Sequence, residues 1–121
     1  MRKIIAFCAA ICSVFVLAKP SNAGVRPKMQ TVKYAINLNW CGHVKRTCES
    51  GRQAYRVAGC ETGNTYNIYA SNGQYKGIFQ MGSSERARFG HGWNAWEQAK
   101  AAHKYYKVAD GWGPWTCRWA A

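Results

Sequence analysis

Apolar residues recur at helical spacing in some stretches of the chain and alternate in others. Ala54, Val57, Ala58 and Glu61 fall on one helical face, and Ser50 with Gln53 has the spacing of a capping box. A helix is therefore predicted from about Gly51 to about Gly63. Beyond Gly63 the period changes. Tyr66, Ile68 and Ala70, then Tyr75, Ile78 and Phe79, flank Ser71-Asn72-Gly73-Gln74, and Asn-Gly between such runs signals a β-hairpin. Ser83 or Ser84 can cap a short helix running from Glu85 to Phe89 and closed by Gly90 and Gly92. Asn94 with Glu97 makes a second capping box. From it, Ala95, Trp96, Ala99, Ala102, His103 and Tyr106 trace an apolar stripe opposite Lys100, Lys104 and Lys107, up to Gly111. Upstream, Tyr34, Ile36, Leu38 and Trp40 alternate with polar residues, which predicts a short strand or extended arm. The fold class implied is α+β, mostly helical, with one short hairpin.

Arg2 and Lys3, the apolar run Ile4 to Ala18, and Ser21-Asn22-Ala23 as a small-x-small cleavage site read together as a secretory signal over residues 1–23. That run is about fifteen residues, short of the roughly twenty a membrane-spanning helix needs, so no insertion after cleavage is expected. Residues 24–49 form a basic lead-in that includes a small loop between Cys41 and Cys48, and residues 50–121 carry the main domain. Loss of Arg2, Lys3 and Lys19 with the signal lowers the formal charge from +12 to +9. Such a surface attracts polyanions: wall polymers outside a bacterium, and nucleic acid only without specificity.

Cys41, Cys48, Cys60 and Cys117 remain after the signal. In a secreted chain they imply disulfides, for which four cysteines allow three connectivities. Zinc is the competing reading of Cys41-x-His43-x4-Cys48, but the spacing does not suit a zinc finger, and neither metal nor cofactor is expected. The chain has no Gly-x-Ser-x-Gly elbow and no phosphate loop.

Among the five carboxylates, Glu49 and Glu85 suit helix starts, Glu97 completes a capping box, and Asp110 lies in the turn after a helix. Only Glu61 lacks a structural task. In the last helical turn it meets the negative end of the helix dipole, and an inward-facing position adds desolvation; both favour the protonated form. This is how a general acid for glycoside cleavage is tuned. Fifteen Phe, Trp and Tyr residues follow residue 23, and aromatic faces line sugar grooves well. Tyr75, Gln80 and Trp93 are the candidates for the groove; Gln80 could equally cap the following chain. Trp112 and Trp115, beside Cys117, suit packing against a disulfide, and His103 suits a structural role.

Glu61-Thr62-Gly63, then Asn64 and Tyr66, then Gly77-Ile78-Phe79-Gln80, resemble the Glu-Ser-Gly to Gly-Leu-apolar-Gln core of lysozyme-like soluble lytic transglycosylases. Cys60 directly before the acid, and Gly111-Trp112-Gly113-Pro114-Trp115 followed by Cys117, resemble the resuscitation-promoting-factor branch. The likeness spans about Tyr55 to Cys117. It implies a lysozyme-like fold for residues 50–121 and a monomeric secreted enzyme. The implied substrate is the glycan strand of peptidoglycan, cut between N-acetylmuramic acid and N-acetylglucosamine with Glu61 as general acid. The favoured disulfide pairing joins Cys41 to Cys48 and Cys60 to Cys117.

Cys48-Glu49-Ser50-Gly51 mimics the acid motif more closely, but no Asn, Tyr and Gly-x-x-Gln follow it. Twelve helical residues also set Glu49 about 18 Å from Glu61. The hairpin expected to face Glu61 holds no Asp or Glu, although Glu85 or Asp110 remains able to fold into the site. A retaining hydrolase needs a second carboxylate, so its absence implies a lytic transglycosylase. A lysozyme-type hydrolase, a wall-binding or signalling module without turnover, and a membrane-active cationic protein are the alternatives.

Overall fold

The stretch read as an extended arm is a helix. The computed structural model describes residues 22–121, with side chains from residue 28 onward, so the signal-peptide reading lies outside the described residues except at Asn22 and Ala23. Helix α1 spans Asn22–Cys41. Val32, Ala35 and Ile36 are fully buried on it, and Met29 and Trp40 pack against the same core, a spacing of three and four residues that only a helix aligns. The alternation that suggested a strand is broken by Leu38, which lies 44% exposed. Lys28 and Lys33 are exposed.

Helix α2, Glu49–Glu61, buries Gly51, Ala54, Val57 and Ala58. Its N-cap is Cys48 and the cap makes no side-chain hydrogen bond, so the predicted Ser50–Gln53 box does not form. Ser50 Oγ instead donates to the carbonyl of Trp40 at 3.5 Å. The Cys41–Cys48 disulfide lies against this first turn, and a Cβ at Gly51 would collide with Cys41 Sγ. Glu49 pairs with Arg52 at 3.0 Å and Arg56 at 3.9 Å, both exposed contacts of small energetic weight. The helix ends where Thr62 Oγ1 donates to the Ala58 carbonyl at 2.8 Å and accepts from the Tyr66 amide at 2.9 Å.

The hairpin is shorter than the apolar runs suggested. Strand β1 is Ser71–Asn72 and β2 is Tyr75–Lys76, paired antiparallel with Asn72 opposite Tyr75. The turn is Gly73-Gln74, with Gly73 at φ +63°. Ile78 and Phe79 belong to a buried turn, Gly77 to Gln80, after which Met81 pairs back to Lys76. Glycine is required at 77 twice over: φ is +83°, and a Cβ would stand 2.7 Å from both Gln98 Oε1 and His91 Nε2. Gln98 is completely buried. Its Oε1 accepts from the Ile78 amide at 2.9 Å while Nε2 donates to the carbonyls of Ile68 at 3.0 Å and Gly92 at 3.1 Å.

Helix α3 is Ser83–Phe89 and α4 is Ala95–Ala109. Asn94 Oδ1 caps α4 by accepting from the Glu97 amide at 2.8 Å, as its spacing predicts. Ala95, Ala99 and Ala102 are buried, whereas Trp96 stays 40% exposed. His103 packs edge-on to Trp40 at 4.8 Å, in keeping with a structural histidine, and burial first, then Lys107, lowers its pKa. A 3-10 segment, Thr116–Ala120, closes the chain against α2, and α1 packs on both α2 and α4. The result is a mostly helical α+β domain with a short hairpin and two disulfides. Among the described residues, no helix is long and apolar enough to cross a membrane.

His91 Nε2 is buried without a hydrogen-bond partner among the described residues. Desolvation, then the nearby Arg86 charge, lowers its pKa to about 4 from an ordinary 6.5. The depressed value means that the folded state favours neutral His91, so its contribution to stability is present above pH 6.5 and lost as pH falls toward 4. The melting temperature should therefore drop across that interval, and His91→Asn should flatten the drop. An unchanged slope in the variant would place the acid sensitivity elsewhere.

Candidate active site

Glu61 is the last residue of α2, and Cys60 beside it is bridged to Cys117. The bridge brings the C-terminal segment over the end of the helix. There the Cys117 amide donates to Glu61 Oε2 at 3.1 Å. No cation pairs with this carboxyl group among the described residues. Desolvation raises its pKa, and the Cys117 N–H opposes that rise without cancelling it. A carboxyl group so placed holds its proton to higher pH than Glu49, whose pKa is lowered chiefly by the hydrogen bond from Arg52.

Glu61 opens into a cavity of about 330 Å³ shared with Asn72, Tyr75, Gln80, Glu85, Tyr105 and Trp115. Met81, Gly82, Pro114 and Thr116 complete its wall. Two of the three groove residues expected from the sequence are here. Tyr75 is 46% exposed on the hairpin. Gln80, at φ +47°, donates through Nε2 to the carbonyls of Ala70 at 3.1 Å and Gly77 at 2.9 Å. The amide hydrogens brace the hairpin, which leaves Oε1 as the group available to a ligand. Trp93 is not among the lining residues. It stacks on Tyr69 at 6.1 Å and meets His91 edge-on at 6.0 Å, because the Gly-rich loop carries it to the side of the hairpin where Tyr69 stands.

Trp115 packs in the core and also lines the cavity. Its Nε1 donates to the Phe79 carbonyl at 2.9 Å, buried in the core, and its ring forms part of the cavity wall. Trp112 is core, stacked on Trp40 at 5.7 Å.

Glu85 enters the cavity from the first turn of α3, and no local pattern announces it. Arg86 beside it holds the geometry: Nη1 donates to the carbonyls of Gln74 and, at 2.7 Å, Met81, locking α3 to the hairpin. Burial raises the pKa of Tyr105, and the charges of Glu85 and Tyr75 add to it, which marks the three as neighbours. Asp110, the other carboxylate open to recruitment, is not a lining residue of the cavity. Among the described residues, no cluster of three or more His, Cys, Asp or Glu side chains is placed to hold a metal. The chain matches no protein-family model, no curated protein and no solved structure.

The two disulfides differ in reach. Cys41–Cys48 spans 7 positions and Cys60–Cys117 spans 57, so loop-closure entropy assigns about 2.5 kcal/mol to the first and about 4 kcal/mol to the second. Replacing Cys60 and Cys117 by serine should lower stability more than replacing Cys41 and Cys48, and should also release the Cys117 contact with Glu61. Denaturant unfolding of the two double variants checks this. Equal losses would mean that the long bridge does not order the site.

Proposed function

We propose that this protein is a secreted muralytic enzyme that cuts the peptidoglycan glycan strand between N-acetylmuramic acid and N-acetylglucosamine, with Glu61 as general acid. The observation that carries the reading is Glu61 itself: half-buried, free of any cation, raised in pKa, and opening into a cavity walled by Tyr75, Gln80 and Trp115. The resemblance of Cys60-Glu61-Thr62-Gly63 and Gly77-Ile78-Phe79-Gln80 to the lysozyme-like transglycosylases supplies the substrate. The disulfides suit an oxidising compartment, in line with export.

In the proposed reaction the protonated Glu61 gives its proton to the glycosidic oxygen as the bond to the muramic acid C1 breaks. The substrate's N-acetyl oxygen holds the positive charge that develops at C1. Glu61, now ionised, takes the proton from the muramic acid C6 hydroxyl, whose oxygen closes onto C1 as an internal ether. The hairpin wall offers Asn72, Tyr75 and Gln80 and no carboxylate, which favours this lytic transglycosylase outcome. One observation favours a second reading. Glu85 lines the same cavity, and a second carboxylate there would direct water to C1 and yield hydrolysis.

Mass spectrometry of soluble products from purified peptidoglycan separates the two. Anhydro products, one water lighter than their hydrolytic counterparts, are expected from the wild type. Glu61→Gln should slow release by about 10²- to 10⁴-fold with binding to the wall retained, whereas Glu49→Gln should change little. Ordinary reducing ends, together with loss of turnover in Glu85→Gln, would make the enzyme a hydrolase. Undiminished release by Glu61→Gln would refute both.

A further inference from the structure

A second cavity, about 730 Å³, shares no residue with the one at Glu61. It lies where α1, the loop leaving α2 and the start of α4 meet. Val32, Tyr66 and Ala95 are its buried residues, and the rings of Tyr69, 66% exposed, and Trp96, 40% exposed, stand open to solvent. The sequence patterns assign this space no role: Trp96 belongs to the predicted apolar stripe of α4, yet burial leaves much of it uncovered.

The polar side chains around these rings include three amides, Asn64, Asn67 and Asn94, beside Thr31, Thr65 and Lys28. Asn94 spends Oδ1 on capping α4, and Asn67 spends Oδ1 on the Tyr69 amide at 2.9 Å. Both keep their NH2 groups free of partners among the described residues. Asn64, held at φ +66°, makes no side-chain hydrogen bond there. Among the described residues of the lining, Lys28 is the one charged group and none is a carboxylate. These residues supply no acid with which to cut. They pair ring faces, which suit the C–H faces of a pyranose, with amides that suit hydroxyl and acetamido groups. A purely apolar ligand would leave those amides without partners and lose their solvation. Lys28 adds a preference for a ligand that is negative rather than positive.

We propose that this cavity is a second glycan-binding site, which holds an N-acetylated, carboxylate-bearing stretch of the wall polymer away from the bond being cut. The ligand class rests on the muralytic reading; the site itself does not depend on Glu61 chemistry. Attachment at two places along one strand raises the effective concentration of substrate at Glu61.

The test uses Glu61→Gln protein, so that binding is observed without turnover, and NMR shift mapping with two probes. One is the neutral tetramer of N-acetylglucosamine; the other is the N-acetylglucosamine–N-acetylmuramic acid disaccharide, which carries a carboxylate. Both are expected to shift the Trp96 indole and the side-chain amides of Asn64, Asn67 and Asn94. Trp96→Ala and Tyr69→Ala, each truncating an exposed ring, should weaken tetramer binding by at least about tenfold, the lower range for one well-buried contact. Lys28→Gln should weaken the acidic disaccharide and spare the tetramer. Shifts confined to Tyr75, Gln80 and Trp115, or none with either probe, would overturn the second site while leaving the Glu61 reading intact. Shifts at Trp96, together with a wild type that releases no products, would support the second site and refute the catalytic reading.

Discussion

The covalent link between Cys60 and Cys117 is the constraint on which the rest of the site depends. α2 ends at Glu61, one residue beyond Cys60, and the bridge holds the chain's far end against it, joined by the hydrogen bond from Arg56 Nε to the Ala120 carbonyl at 3.0 Å. With the bridge in place, the Cys117 amide reaches Glu61 Oε2 and the Trp115 indole reaches the Phe79 carbonyl. Two opposed effects then act on one carboxyl group. Burial penalises its charge, and a backbone N–H favours it; burial prevails, so the pKa rises. The same N–H gives the charged form a partner once a proton has left, which suits the acid and base roles proposed for this group.

The hairpin is held by groups well outside its two short strands. Gln98, from α4, satisfies backbone groups of Ile68, Ile78 and Gly92 at once, and Arg86, from α3, ties down Gln74 and Met81. A two-residue pairing has little stability alone in water. These side chains place Tyr75 and Gln80 opposite Glu61, so the cavity's shape belongs to the tertiary structure rather than to the hairpin. The buried turn carrying Ile78 and Phe79 anchors that arrangement in the core.

Features set by short-range spacing were legible in the sequence: α2, α3, α4 with its Asn94 cap, a turn near Asn72-Gly73, and the Cys41–Cys48 pairing; the Cys60–Cys117 pairing then followed as the partner of that short bridge among four cysteines. The position of Glu61 at a helix end was legible for the same reason. Helix α1 was not, because Tyr34, Ile36, Leu38 and Trp40 mimic a strand while Met29, Val32, Ile36 and Trp40 give the helical spacing that packing on α2 and α4 selects. Glu85 reaches the cavity only through the return of the chain at Met81 and the Arg86 contacts, and Trp93 leaves it through a loop that stacks it on Tyr69. Neither outcome is encoded within a few residues. The capping box at Ser50 failed for a comparable reason, since the Trp40 carbonyl competes for the hydroxyl.

The central claim is that the surroundings of Glu61 raise its carboxyl pKa above the ordinary value, burial outweighing the Cys117 N–H. Titration of glutamate side-chain carboxyl carbons by NMR in the intact protein, with Glu49 as the internal reference, tests it most directly. The account predicts a midpoint for Glu61 above 4.5 and a midpoint for Glu49 below it. A Glu61 that titrates together with Glu49, or below it, would contradict the account.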